Sequence, residues 1–127
     1  FKHFNVKSII LRKNGDTVPF QSIEMDYSNK CSVRGYLSLL EGTGNMFKNR
    51  SIDIRPITEY PTGYALYGFD VSPDHSGHNS FDLIQQGNIS LEIKLDEASD
   101  KGICILAYLE YDSLLQIDSD YHIIYEQ

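Results

Sequence analysis

The chain has 127 residues, 41% of them hydrophobic, which suits one domain over residues 1–127 with a buried core and disfavours intrinsic disorder. Its formal net charge of −7 disfavours direct binding to nucleic acid, because phosphate contacts need clustered lysine and arginine. It contains no run of about 18 apolar residues, so no membrane span is predicted.

The first twenty residues predict a β-hairpin. Apolar residues alternate near the start of the chain, and Asn14-Gly15 is a strong two-residue turn signal because both positions tolerate positive φ. Residues 17–20 then form the returning strand. Pro19 has no amide N–H to donate, so it places this strand towards the edge of a sheet.

The stretch 32–44 predicts the one short helix. Its apolar residues recur at the i, i+3, i+4, i+7 spacing of a helical face: Val33, Tyr36, Leu37 and Leu40. Ser32 is a candidate N-cap, and Gly42 and Gly44 are candidate stops. Gly35 weakens the helical pattern from inside. Residues 45–62 are predicted to be irregular, since two prolines interrupt them.

Strands dominate the rest of the chain. Residues 64–71 predict an aromatic strand, and residues 72–80 predict a loop. The stretch 81–87 is a short apolar piece, and 88–96 (NISLEIKLD) alternates apolar and polar side chains, as a strand with one buried face does. The stretch 103–112 (ICILAYLEYD) is nearly all apolar, which predicts a central strand covered on both faces with Cys104 in the core. Residues 122–126 predict a last short strand.

These elements together predict a mainly β fold. Short strands at turn spacings of about 8–12 residues, with one short inserted helix, are typical of an antiparallel jelly roll or β-sandwich. Cys31 and Cys104 do not make a disulfide framework, so both are predicted to be free thiols in a reducing, intracellular compartment.

The loop at 70–82 is the strongest candidate for chemistry. It gathers carboxylates and imidazoles that suit a divalent metal: Asp70, Asp74, His75, His78 and Asp82. The two histidines are three positions apart in a glycine-containing loop, however, and nothing in the sequence holds them rigid. Ordinary turn chemistry explains the loop better. Because no catalytic or phosphate-binding motif occurs either, we expect no enzyme, no metal and no cofactor.

Five stretches, taken together and in order, carry a family resemblance. They are FKHFNVKSIILRKNGDTVPF, VRGYLSLLEGTGNM, YPTGYALYGFDVSPD, SFDLIQQGNISLEIKL and ILAYLEYDSLLQID. In this order they resemble the capsid proteins of Maverick/Polinton elements and adintovirus-like DNA viruses. The pattern Gly-Tyr-x-Leu-x-x-Phe-Asp-x-x-Pro-Asp at 63–74 is the most identifying part. The resemblance covers nearly the whole chain without large gaps.

The resemblance implies a hexon-like major capsid protein built from two jelly rolls, with this chain in the C-terminal part of the second. It implies a structural protein that self-associates into a trimer-like capsomer, located in a virion or virus-like particle. The partners would be copies of this chain or the rest of the same capsid protein. The first strands of the roll would then lie upstream of Phe1. Either another chain segment supplies them, or this is a shortened, domesticated relative with altered pairing.

Two regions are predicted to carry the contacts between copies, the helix with its following loop (33–62) and the loop 72–80, since insertions between strands commonly form interfaces. The candidate interface residues are Arg34, Tyr36, Met46, Phe47, Tyr60, Tyr64, Tyr67, Asp74, His75 and His78. Charge supports such contacts, because residues 1–55 carry a net +4 and residues 56–127 carry −11. This asymmetry suits head-to-tail association of copies.

A free-standing β-sandwich that binds a glycan or a protein is the alternative. Tyr64, Tyr67 and the loop 72–80 would form its binding surface. Core and strand-pair packing is the plainer explanation of the aromatic residues at 60–69.

Overall fold

A computed structural model describes residues 1–49, 52–72, 87–110 and 115–125. The strands in these ranges are β1 (Val6–Lys13), β2 (Asp16–Glu24), β3 (Ile89–Leu95), β4 (Leu115–Ile117) and β5 (Ile123–Tyr125), and the helices are α1 (Val33–Gly42) and α2 (Tyr60–Gly63). One antiparallel sheet has the spatial order β2-β1-β3, and β4 and β5 form a separate antiparallel pair. The prediction of a mainly β, antiparallel fold is confirmed. Neither helix in the described ranges has the length and apolar content needed to cross a membrane.

The predicted N-terminal hairpin is present. Asn14 and Gly15 form its turn with φ values of 55° and 96°, the left-handed conformation that asparagine and glycine tolerate best. The returning strand runs on to Glu24, beyond the predicted end at residue 20. Pro19 lies on β2, which is an edge strand of the sheet as predicted.

The hairpin turn also positions the start of β3. The Asn88 amide N–H donates to Asn14 Oδ1 at 2.9 Å, and the Asn14 amide N–H donates to the Asn88 carbonyl at 2.9 Å. From there β3 pairs with β1 along its whole length, with Leu91 opposite Leu11. The alternating strand predicted at 88–96 is thereby confirmed.

The core lies on the apolar face of this sheet. Its buried members are Ile9, Ile23 and Met25, and the partly buried side chains packed on them are Val6, Tyr27, Tyr67, Phe69 and Ile93. Residues directly opposite in an antiparallel pair point to the same face, and Ile9 lies opposite both Ile23 and Ile93. The register therefore stacks the three strands' apolar side chains on one side.

Helix α1 has the predicted ends but not the predicted buried face. Gly42 ends it, and Gly44 follows with a left-handed φ of 63°. Ser32 occupies the N-cap position without a capping hydrogen bond from its side chain. The buried residues of the helix are Gly35, Ser38 and Leu39, whereas Val33 is 52% exposed. Of the four apolar residues whose spacing predicted the helix, Val33 and Leu37 are exposed, and Tyr36 and Leu40 are half-buried.

The reason is the close approach of a second backbone. A Cβ added at Gly42 would lie 2.6 Å from Gly68 Cα, and a Cβ at Gly68 would lie 2.8 Å from the Ser38 carbonyl oxygen. Small residues on this helical face let the segment 64–72 lie directly against the helix. Val33 and Leu37 are left on the outward side.

The segment 64–71 is not a strand, contrary to the prediction. It carries no strand pairing and crosses α1 at Gly68. Its aromatic side chains still pack inward, since Tyr67 and Phe69 contact the core. The packing function of the aromatic residues was predicted correctly, and the backbone conformation was not.

The apolar stretch 103–110 is also not a strand in the described structure. It has no regular secondary structure, and almost all of its side chains are exposed, with Leu106 at 79% and Tyr108 at 85%. The predictions of a central strand and of a buried Cys104 are wrong, because Cys104 is exposed. The described part of the chain supplies no second layer to cover this segment.

Some of the remaining predictions concern residues outside the described ranges. The loop after Ser72 and the apolar piece at 81–86 lie outside them. The last short strand is confirmed as β5. β4 lies in a stretch rich in aspartate for which no strand was predicted.

Candidate functional site

Four tyrosines join the helices to the sheet. The Tyr27 and Tyr67 hydroxyl oxygens are 2.8 Å apart and share a hydrogen bond. The Tyr60 hydroxyl donates to the Leu66 carbonyl at 2.8 Å, and the Tyr60 ring meets the Tyr36 ring edge-on with centroids 5.6 Å apart. We call Tyr27, Tyr36, Tyr60 and Tyr67 the tyrosine cluster. It anchors α1, α2 and the segment 64–72 to one another.

Burial controls the ionisation of this cluster. Burial is the largest influence on the pKa of three hydroxyls in the cluster, and it raises each of them above the ordinary tyrosine value. These hydroxyls belong to Tyr27, Tyr60 and Tyr67. Burial disfavours the charged phenolate. Negative charge on neighbouring phenolates adds to the effect at Tyr60 and Tyr67. The hydroxyls of Tyr27, Tyr60 and Tyr67 therefore stay protonated at physiological pH.

We expect the protein to lose stability with rising pH once the pH exceeds the unfolded-state tyrosine pKa of about 10. Below that pH, both states keep the tyrosine protons and no dependence arises from these groups. Above it, only the unfolded chain releases them, so the free energy of unfolding falls by about 1.4 kcal/mol per pH unit for each buried tyrosine until the pH reaches its folded pKa. Urea unfolding at a series of alkaline pH values measures this slope.

The matched control for that slope is an exposed tyrosine. Tyr60→Phe should make the slope shallower, whereas Tyr108→Phe should leave it unchanged because Tyr108 is exposed. Equal slopes in the two variants would contradict the assignment of Tyr60 to the cluster.

The structure brings only some of the predicted interface residues together. Tyr36, Tyr60 and Tyr67 meet in the tyrosine cluster, and the Tyr60 ring is 0% exposed and out of a partner's reach. Four others are exposed and accessible: Arg34, Met46, Phe47 and Tyr64. Phe47 is 95% exposed. Asp74, His75 and His78 lie outside the described residues.

Exposed apolar side chains are the dominant surface feature. The described residues hide only six large hydrophobic side chains, and eighteen others are exposed. Two groups stand out. One is the outward face of α1 with Val33 and Leu37, and the other is the segment 103–110, which we call the apolar segment. Contiguous exposed apolar surface marks an interaction site.

The other sheet face is polar and unremarkable. Arg12 Nη2 lies 3.5 Å from Glu92 Oε2, and Lys94 Nζ lies 3.3 Å from Glu92 Oε1. These cations and their hydrogen bonds lower the pKa of the Glu92 carboxyl, with Lys94 the larger influence. All three side chains are well exposed, so the pairs contribute little to stability. Within the described ranges, no three histidine, cysteine or acidic side chains are grouped to hold a metal ion.

The apolar segment is the feature whose role sequence reasoning missed. Its composition predicted a strand covered on both faces. What the pattern could not reveal is that this cover is missing from the described chain. One signal in the sequence could have shown this. The strand-like apolar stretches are numerous relative to the partner strands that 127 residues can supply.

Comparison with known proteins finds one curated relative. No protein-family model matches the chain, and no solved structure matches it. The chain is 30% identical over 122 residues to an uncharacterized protein of Caenorhabditis elegans, F54H12.2. The match covers 93% of this chain and 29% of the nematode protein. The chain thus spans less than a third of the length of this relative, and the similarity extends over the sheet and the helices alike.

Proposed function

We propose that this chain is a structural protein that self-associates, the jelly-roll portion of a hexon-like capsid protein of viral or transposon origin. The observation that carries the proposal is the excess of exposed over buried large apolar side chains in the described residues. A stable monomer rarely leaves contiguous apolar surface in water. Surface of this kind is covered when copies or further segments pack on it.

The fold supports the jelly-roll form of the proposal. The sheet β2-β1-β3 is antiparallel and has one apolar face, a property that it shares with the sheets of a jelly roll. The strand-like composition of the apolar segment would add to such a sheet. Helix α1 is inserted between β2 and β3 and turns Val33 and Leu37 outward, where an inserted element would meet a neighbouring copy.

Charge supports association of copies. The first 55 residues carry +4 and the others −11, so a basic surface of one copy can face an acidic surface of the next. The apolar contacts would give the assembly its stability, and the charges would orient it.

We expect a mass that is a multiple of the 14.5 kDa chain, with the trimer as the principal species. Light scattering during size-exclusion chromatography over a concentration series measures it, and electron microscopy shows whether larger particles form. Because apolar burial does not weaken in sulfate whereas charge pairing is screened, the assembly should persist at high sulfate concentration.

A matched pair of variants sharpens this test. Leu106→Asp places a charge within the apolar segment and should shift the mass towards one chain. Ser99→Asp places the same charge on an exposed residue outside that segment and should leave the mass unchanged. A wild-type protein that stays monomeric at every concentration would overturn the proposal.

The alternative function, a glycan- or protein-binding module, depends on accessible aromatic rings. Tyr67 is held in the tyrosine cluster, whereas Tyr64 is 47% exposed. Tyr64→Ala is therefore the appropriate variant in a glycan array, since Tyr67→Ala would damage the core. Binding that Tyr64→Ala abolishes without a change in oligomeric state would favour the module over the capsid protein.

A further inference from the structure

The free edge of β3 and the apolar segment lie close together in the chain, and both could form further strand pairing. β3 pairs with β1 on one side, and no strand of the described residues pairs with its other edge. The apolar segment begins only seven residues after β3 ends and has no strand partner in that part of the chain. An open edge presents unpaired N–H and C=O groups that an added strand can satisfy.

The two elements match in apolar pattern when they run antiparallel. With Leu95 opposite Ile103, the odd-numbered residues of both lie on the core face of the sheet. The resulting pairs are Leu95 with Ile103, Ile93 with Ile105, Leu91 with Ala107, and Ile89 with Leu109. A shift of one residue would instead place Glu92 or Lys94 opposite these apolar side chains and turn one set to the wrong face. Among registers that keep the odd-numbered residues of both strands on the core face, this is the one that gives every odd-numbered residue of β3 a partner in the apolar segment.

Charge also favours this direction. The antiparallel register carries Glu110 to the end of β3 at Ile89. Lys13 lies opposite Ile89 and Arg12 opposite Ser90 on the neighbouring strand β1. Residues 110–120 contain four acidic residues and no basic one. An added strand in this register thus brings an acidic stretch to a basic end of the sheet.

We propose that the apolar segment of one copy adds to the free edge of β3 in a second copy, and that each copy of the trimer passes its segment to the next copy in the same way. In the structure the segment does not fold back on its own β3, although the connection 96–102 would permit a hairpin. Exchange uses the contacts of that hairpin between copies, and among three copies it closes into a ring. It names the contact through which the proposed self-association would occur, and so it rests on that proposed function.

Disulfide cross-linking between differently tagged chains tests the exchange. In a Cys31→Ser, Cys104→Ser background, one chain carries Leu91→Cys with a size tag and the other carries Ala107→Cys without it. Opposite residues of an antiparallel pair have Cα atoms about 4.5–5.5 Å apart, within the range that a disulfide needs. We expect an oxidised species whose mass shifts from one chain to one tagged plus one untagged chain.

The matched control moves one cysteine by a single position. Glu92→Cys in the tagged chain turns that thiol to the opposite face of the sheet, and the mixed species should be lost. A third protein carries Leu91→Cys and Ala107→Cys in the same chain. Under exchange it gives covalently linked multimers, whereas a hairpin within one chain gives an oxidised monomer.

The outcomes separate this inference from the proposed function. An oxidised monomer from the third protein, or no mixed species while the wild-type protein still assembles, overturns strand exchange and leaves self-association standing. A monomeric wild-type protein with no mixed species overturns both. The mixed species together with its loss in the offset control supports the exchange.

Discussion

Replacement of Tyr60 by alanine should bring the protein close to unfolding. The Tyr60 ring is 0% exposed, it meets the Tyr36 ring, and its hydroxyl donates to the Leu66 carbonyl. Truncation of a buried aromatic side chain costs about 3–5 kcal/mol through lost burial and the cavity left behind. A small domain has only about 5–15 kcal/mol of stability in total. Urea unfolding followed by tyrosine fluorescence or circular dichroism measures the change.

Two further variants divide this effect into its parts. Tyr60→Phe keeps the ring and removes only the hydroxyl donor, so it should cost about 1–3 kcal/mol for the unsatisfied carbonyl. Phe47→Ala removes an aromatic side chain that is 95% exposed and should change stability by no more than about 0.5 kcal/mol. An equal unfolding midpoint for Tyr60→Ala and Phe47→Ala would show that Tyr60 is not buried.

Replacement of Gly42 by alanine is the second large effect that we expect, and its sign opposes helix propensity. Alanine favours a helix over glycine by about 1 kcal/mol, so the change would stabilise an isolated α1. In the folded protein the new Cβ would lie 2.6 Å from Gly68 Cα and 2.7 Å from the Phe69 amide nitrogen. These are backbone atoms of the segment that carries Tyr67, and they cannot yield without displacing the core.

Overpacking of this kind costs about 1–3 kcal/mol and sometimes more, so the net result should be destabilisation. Gly68→Ala should act similarly, because its Cβ would meet the Ser38 carbonyl oxygen at 2.8 Å. Gly63→Ala is the matched control, since nothing lies within 4 Å of its added Cβ. Thermal unfolding of the three variants decides the question, and a Gly42→Ala protein more stable than wild type would contradict the close crossing.

These glycines show where the sequence prediction of the helix succeeded and where it failed. The periodic apolar residues and the stops at Gly42 and Gly44 predicted the extent of α1, because ends and periodicity are local properties. Gly35 counted against the helix in the sequence. In the structure its missing Cβ makes room for Tyr60 Oη, since an added Cβ would lie 2.6 Å from that oxygen.

The sequence indicated which residues are candidates for the site, but it did not indicate which of them are exposed and which pack together. The sequence placed interface residues around α1, and Arg34 and Phe47 are exposed there. It also assigned Tyr60 and Tyr67 to an interface, and both belong to the tyrosine cluster. The exposed fraction of an aromatic ring depends on which segments cross over it, and those crossings join residues far apart in the chain.

The hairpin turn at Asn14-Gly15, the alternation of β3 and the ends of α1 could be predicted from the amino-acid sequence. Each depends on backbone preferences and side-chain periodicity over a few neighbouring residues. Three features depend on contacts between residues far apart in the chain: which face of α1 is buried, the crossing of the helix by residues 64–71 without strand pairing, and the exposure of the apolar segment. An apolar strand pattern looks the same in the sequence whether its partner strand is present or absent. The pattern shows that the side chains are apolar, but it does not show which segment packs against them.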